Sequence, residues 1–245
     1  MKLPNLLLIM VIFISSSCDD NIPGNEVGKK SELDISFKLT YGGEELIFGD
    51  EYLYLGRSIV FNKFSFFLSN LTLTKDDDIS NKIEVSEINF IDFANNPTTR
   101  VSLKNIPVSS YQGLSFNIGV SADFNRSVPA DFGRNHPLND TTMYKVDWES
   151  YLFSKLSGTY DSSVDFNYVT GKNELFHSYS VTKAFPINVG NKTVLEFEIA
   201  VDKIFGTSAT TLIDIEKNPT TITDGSNELM QLIMNNFATK AINCL

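Results

Sequence analysis

The sequence predicts an all-β fold: a β-sandwich of antiparallel strands closed by one C-terminal α-helix. Three observations lead there. Apolar and polar residues alternate with period two in segment after segment, which puts one face of each strand on a core and the other on water. Clusters of Gly, Pro, Asn, Asp and Ser separate those segments. Helical spacing occurs only near the C-terminus.

Taken in order, Ile35, Phe37 and Leu39 alternate with Ser36, Lys38 and Thr40 in the first strand. Phe61 to Thr74 reads as one long strand or a bent pair, carrying Phe64, Phe66, Leu68, Leu71 and Leu73. Asp76-Asp77-Asp78 follows, then the apolar run Ile83 to Phe93, which together predict a hairpin with an acidic tip. That tip lacks the spaced ligands and distal Glu of a calcium loop and reads as a solvated turn. Leu114, Phe116, Ile118 and Val120 alternate again, as do Leu195, Phe197, Ile199 and Val201. Further strands are expected at Trp148 to Leu156, Val164 to Val169, Ser178 to Phe185 and Thr211 to Ile215. Leu229, Leu232, Ile233 and Phe237 form one stripe of a helix, with Asp224 and Ser226 as caps ahead of it. Met230 and Met234, spaced i, i+4, read as packing residues under a sheet, with a soft pair for copper as the alternative. Two or more sheets of this kind with a single helix make a sandwich.

The N-terminus is of another kind. Lys2 precedes an uncharged apolar run from Leu6 to Ile14, and Ser15-Ser16-Ser17 leads into Cys18. This is the shape of a secretory signal peptide, too short to span a bilayer. A cysteine closing it resembles the bacterial lipoprotein signal, although Ser15 stands where Leu is usual. Residues 1–17 would then be removed and Cys18 lipidated. The alternative is an ordinary cleaved signal with a free cysteine nearby. Asp19-Asp20 resembles a sorting signal for the outer face of the outer membrane. Residues 18–32, with Pro23, Gly24 and Gly28 and little to bury, are expected to be a flexible tether, and 33–245 the folded domain. The expected location is the outer membrane, lipid-anchored, facing the periplasm or the cell surface.

Composition excludes several functions. Removing residues 1–17 takes away one Lys and no acid, so the net charge moves from −10 to −11. A chain this acidic is repelled by phosphate backbones, so nucleic acid is not an expected partner. Of the two cysteines, a lipidated Cys18 leaves Cys244 without a partner in the chain, so no disulfide framework is available. The 19 Phe supply the core instead. Two histidines and no G-x-S-x-G give no catalytic triad, no phosphate loop occurs, and an enzyme is not expected.

Several segments, in the right order, resemble one known family. Phe37-Lys38-Leu39-Thr40-Tyr41-Gly42 is similar to the opening strand of MbnP-like proteins, a methanobactin-associated copper-binding family. Phe64 to Leu73 resembles their next long strand, and Tyr111-Gln112-Gly113-Leu114-Ser115-Phe116-Asn117-Ile118-Gly119-Val120, followed by Asn125, another. His136-Pro137-Leu138-Asn139 resembles their His-Pro-Leu turn. Met143 with Tyr151 to Gly158, then Phe166-Asn167-Tyr168 and Gly171, and finally Asn235-Asn236-Phe237-Ala238 complete the series. The resemblance covers nearly all of residues 33–241. It implies an envelope β-sandwich that binds copper and works with a di-haem cytochrome peroxidase-like partner, which oxidises a tryptophan of the copper protein.

The departures from that pattern bear on function. Leu39 and Val169 stand where the resemblance places histidines, and Lys145 and Asp147 where it places tryptophans. The only tryptophan, Trp148, falls one residue past the second of these, which on a strand turns it to the other face unless a bulge restores it. Leu and Val have no lone pair for a metal, so the family copper site is expected to be missing. The remaining candidate copper ligands are His136, His177 and Met143, none with a second ligand at recognisable spacing. The long irregular section Ser121 to Met143 is the expected binding region, with Phe124, Arg126, Phe132, Arg134 and His136 as contact residues. The alternative for the aromatic pair is that it pins this loop to the core. Three functions follow from the sequence: a binding lipoprotein without copper, a copper protein with displaced ligands, or a structural or adhesive surface protein.

Overall fold

In chain order the strands are β1 (Lys30–Tyr41), β2 (Glu44–Glu45), β3 (Glu51–Tyr54), β4 (Arg57–Lys75), β5 (Lys82–Asp92), β6 (Thr98–Pro107) and β7 (Ser109–Ile118). They continue as β8 (Tyr144–Lys145), β9 (Ser150–Tyr160), β10 (Val164–Gly171), β11 (His177–Ile187), β12 (Lys192–Ala200) and β13 (Ile242–Cys244). The helices are the short α1 (Ala122–Asn125) and α2 (Val201–Ile204), and α3 (Asn227–Asn236), which runs on through a π turn to Ala241. The computed structural model describes residues 29–75, 81–93, 96, 98–208, 210–222 and 227–245. Cys18, the signal segment, most of the expected tether, Asp76–Asp78, Asp224 and Ser226 lie outside the described residues. No described helix is long and apolar enough to cross a membrane.

The strands form two sheets. The first runs β13-β12-β1-β2, with β6 also on β1; the second runs β10-β9-β4-β7-β11, with β3 and β5 on β4 and β8 on β9. Inward side chains of both sheets make one continuous core. Phe37 of β1 stands between them: its ring meets Phe66 of β4 at 5.8 Å and Phe116 of β7 at 6.2 Å, both edge-on, and tilts against Phe197 of β12 at 5.3 Å. Edge-to-face packing of this kind adds about 0.5–1.5 kcal/mol per pair beyond the area it buries. From the C-terminus, Phe237 seals the core against Phe64 at 5.3 Å and Phe66 at 5.2 Å.

The all-β sandwich is as the sequence predicts, with instructive differences. One pair is parallel: β1 runs alongside β12, with Phe37 opposite Phe197. Alternation shows which residues face inward but not strand direction, so the sequence could not distinguish this. The first strand begins at Lys30, three residues before the expected Leu33, because Lys30 and Ser31 pair with Pro107 and Ile106. No strand forms at Thr211 to Ile215; the segment is irregular, with turns at its two ends. Ile213 and Ile215 are buried there as their alternation suggests, but a tyrosine replaces the neighbouring strand. The Tyr54 hydroxyl donates to Ile213 O at 2.8 Å and accepts from Ile213 N at 3.1 Å. Burial pushes the Tyr54 phenol up to about 12, so it stays protonated and able to donate. In α3 the buried face is turned from the predicted stripe. Met230, Ile233 and Met234 are buried, while Leu229 and Leu232 are half-buried.

The stretch Phe61 to Thr74 is one strand: β4 is 19 residues long, with Asn70 in the left-handed region at φ 51°. Its pairing decides where a functional site can form. β5 occupies one edge of β4 from Ser65 to Thr74. On the other edge β9 pairs as far as Phe66–Ser154, and β7 takes over at Leu68–Ile118. The sheet therefore forks within two residues of β4, and residues 119–149 issue from the fork. Gly119 makes the exit: it sits at φ 112°, donates its N–H to Phe67 O at 2.8 Å, and a Cβ there would meet the Phe153 ring at 2.5 Å. We expect Gly119→Ala to cost about 2–4 kcal/mol, combining ring displacement with backbone strain, read as a lowered urea midpoint.

On the outer face of the first sheet, Asp34 of β1 is fully buried, as Ser36 and Thr40 beyond it are, while Glu32 is exposed. Lys192 Nζ reaches its carboxylate at 2.8 Å and Arg100 at 3.1 Å. Burial raises its pKa, but the nearby Lys192, Ser102 and Arg100 outweigh that and hold it below the ordinary 3.8. A lowered native pKa stabilises the fold above the unfolded-state value, and that contribution fades as pH falls below about 4. Both cations are half-exposed, so solvent screens the pair. Asp34→Asn should cost about 1–2 kcal/mol at pH 7. Unfolding curves at pH 7 and pH 3 should show a smaller difference between variant and parent at the lower pH.

Candidate functional site

The loop from Ser121 to Met143 is held by side chains bonded to backbone. Asn139 Nδ2 donates to Pro129 O at 2.9 Å and Phe132 O at 3.0 Å, closing the middle of the loop on itself. The Asp131 carboxylate accepts from Val128 N at 2.9 Å, and Asp140 accepts from Thr142 N at 2.8 Å. His136 caps the turn Pro137–Asn139, its Nδ1 accepting from Leu138 N at 3.1 Å. Its ring stacks on Phe132 at 4.4 Å, and Phe124 lies 6.1 Å from Phe132. Below them Leu138 and Met143 are fully buried, and Tyr151 OH donates to Leu138 O at 2.9 Å. Burial, with Tyr144 and Asp131 nearby, pushes the Tyr151 phenol well above its ordinary value, so it remains a donor.

The join between this loop and the sheet is Asn125, which is buried at the end of α1. Its Oδ1 accepts from Tyr151 N at 2.8 Å and from Ser150 Oγ at 3.2 Å. Its Nδ2 donates to Ser150 Oγ at 3.0 Å and Asn173 Oδ1 at 2.9 Å. Ser150 Oγ in turn accepts from Lys172 N at 2.9 Å. One amide thus ties the loop to the start of β9 and to the turn after β10.

Above this network is an open cavity of about 610 Å³, lined by Arg126, Tyr144, Trp148, Glu149, Lys172 and Glu174 together with the polar groups beneath them. Trp148 is not on a strand. Residues Val146–Trp148 form a 3₁₀ turn, which Glu149 ends at φ 48°, and β9 starts only at Ser150. The one-residue offset read from the sequence is thereby absorbed by a turn, and Trp148 is half-buried at the cavity wall. Lys172 Nζ lies 5.6 Å from the centre of its ring.

The predicted residues fall into separate settings. Arg126 lines the cavity and pairs with Asp123. Phe124 and Phe132 pack against the core and His136 stacks on Phe132, the pinning role that was the alternative for the aromatic pair. Arg134 is exposed on the loop. Of the copper candidates, His136 already uses Nδ1 as a hydrogen-bond acceptor. Met143 Sδ sits fully buried 3.8 Å from Ser65 Oγ, and His177 opens β11 opposite Ile118. Leu39 and Val169 are buried among apolar side chains. Among the described residues no three His, Cys, Asp or Glu are grouped to hold a metal. His136, Met143 and His177 are thus held in different settings.

The profile of one protein family, MbnP, matches residues 30–227. The chain belongs to the MbnP family. Among solved structures it is similar to MbnP from Methylosinus trichosporium, with a TM-score of 0.53 and 12% identity over 74% of this chain and 79% of the other. At that identity the likeness concerns the fold. No curated protein matches. In this MbnP-family chain, Tyr144, Glu149, Ser150, Lys172, Asn173 and Glu174 are cavity residues that sequence reading missed. The Gly171-Lys172-Asn173 turn was a signal for a loop, but nothing in it pointed to Trp148 across the fork.

Asn125→Ala leaves the Tyr151 N–H and Ser150 hydroxyl short of a partner in a buried place. It should cost about 2–3 kcal/mol and speed hydrogen exchange at the Tyr151 amide.

Proposed function

We propose that this chain is a lipid-anchored cell-envelope binding protein of the MbnP type that lacks the family copper site and has no catalytic activity. Lipid on Cys18 holds it at the outer membrane, and the loop end of the sandwich engages a ligand or partner. The observation that carries this reading is the cavity at the fork of β4. It is built on a closed hydrogen-bond network beside an ordered loop, while the positions matched to the family's histidines hold Leu39 and Val169. A protein that keeps a preorganised concave site and replaces its metal ligands with hydrocarbon has the makings of a binder.

The copper-protein reading, with a di-haem cytochrome peroxidase-like partner, draws less support from the residues. His136 would have to release Leu138 N to ligate through Nδ1, and Met143 would have to leave the core.

Two measurements test the proposal. Titration of the purified domain with Cu(I) and Cu(II) should reveal no stoichiometric site tighter than about micromolar; a tight one-to-one site would sink the copper-free reading. In cells, Cys18→Ala should move the protein from the membrane to the soluble envelope fraction, and unchanged membrane retention would remove the lipid anchor.

A further inference from the structure

The cavity is half of a longer trough. A second depression of about 470 Å³, lined by Val128, Pro129, Ala130, Tyr144, Val146 and Glu149, shares Val128, Tyr144 and Glu149 with the first. Tyr144 and Glu149 therefore stand in the middle of a continuous surface that is polar towards Trp148 and apolar towards Pro129. Each half lies in the size range of small-molecule sites.

The backbone singles out the same place. Glu149 (φ 48°, ψ 44°) and Lys172 (φ 70°, ψ 149°) are non-glycine residues in the left half of conformational space, and both line the trough on either side of Trp148. The Lys172 conformation is one that glycine alone adopts without strain. Glycine would relieve it, so the lysine side chain is present at a cost to stability. The residue before it, Gly171, is obligatory for space: a Cβ there would meet Tyr151 O at 2.8 Å and lie 3.5 Å from the Trp148 ring. Strain held in place by the Asn125 network is how a fold fixes groups for a ligand.

The chemistry of the lining narrows the ligand. Arg126, Lys172, Glu149 and Glu174 line the trough, and Asp123 pairs with Arg126. An anionic ligand meets three carboxylates here and a cationic one two cations, so the site favours an uncharged one. The carboxylates and Asn173 accept hydrogen bonds, the cations and the indole and phenol donate them, and Tyr144 and Trp148 add apolar ring surface. Apolar ring faces bordered by donors and acceptors suit a molecule with hydrocarbon faces and a rim of hydroxyls. We infer that the trough binds a short neutral oligosaccharide, with Tyr144 and the uncovered edge of Trp148 as apolar surface and Glu149, Lys172, Asn173 and Glu174 bonding its hydroxyls, Lys172 leaving its place over the Trp148 ring to do so. This rests on the binding-protein reading given above and adds the class of ligand.

Trp148 is the chain's only tryptophan, so its emission reports on the trough directly. The full soluble domain is titrated with maltotetraose, cellotetraose, xylotetraose and chitotetraose, and with one acidic and one basic tetrapeptide. At least one neutral sugar should change Trp148 emission saturably at up to 10 mM or about that, with affinity confirmed by calorimetry. Lys172→Gly should raise the melting temperature by about 2–4 °C as strain is released, yet weaken sugar binding about tenfold. Glu174→Gln, on an exposed site, should weaken it while leaving melting unchanged. The inference is overturned if no sugar changes the emission, or if Lys172→Gly binds sugar as well as the parent. Saturable binding of a peptide alone overturns the saccharide assignment while leaving the binding-protein reading in place. Silence from every probe, with a tight copper site in the separate titration, removes both.

Discussion

The structure depends on Phe37. A sandwich is stable only if its two sheets are pressed together by side chains from both, and this ring touches β4, β7 and β12 at once. Its position follows from β1 being central in its sheet, with β12 on one edge and β6 on the other. Everything that shapes the functional end is referred to that centre. Phe66, which packs on Phe37, is also the β4 residue at which β9 ends its pairing. Phe116, its other contact, lies on β7 just before that strand leaves the sheet.

The fork that results gives this site its place. An unbroken sheet edge has no room for a cavity, because neighbouring strands lie about 5 Å apart. Where one strand hands over to another, backbone groups lose their ladder partners and must find substitutes. Asn125 supplies one for the Tyr151 N–H, also bonds the Ser150 hydroxyl, and in doing so sets the floor of the trough. The same amide therefore serves the fold and the site, and the left-handed residues Glu149 and Lys172 sit directly beside the bonds it makes.

Much of the fold was legible in the sequence and much of the site was not, for a physical reason. Alternation is a local property, so Ile35-Phe37-Leu39 and Leu195-Phe197-Ile199 announced themselves as strands. That they pair with each other, and in parallel, is a long-range fact with no local signature. The missed strand at Thr211 to Ile215 shows the converse: its alternation was real, but a tyrosine hydroxyl met its backbone instead of a strand. The loop around His136 was visible through its turn residues. The trough was not, because its residues come from the loop, the start of β9 and the turn after β10, and a glutamate or lysine at positive φ leaves no mark in a sequence.

The pairing of β1 with β12 joins residues about 160 positions apart, Glu32 with Lys192 among them. A chain made from its amino end can cover one edge of β1 once β6 has appeared, but the other edge has to wait until residue 200. Until then a long apolar strand offers unbonded amides to any passing chain. Topologies that rest on such long-range pairing are the ones that close late, and late closure is when an edge can meet another chain.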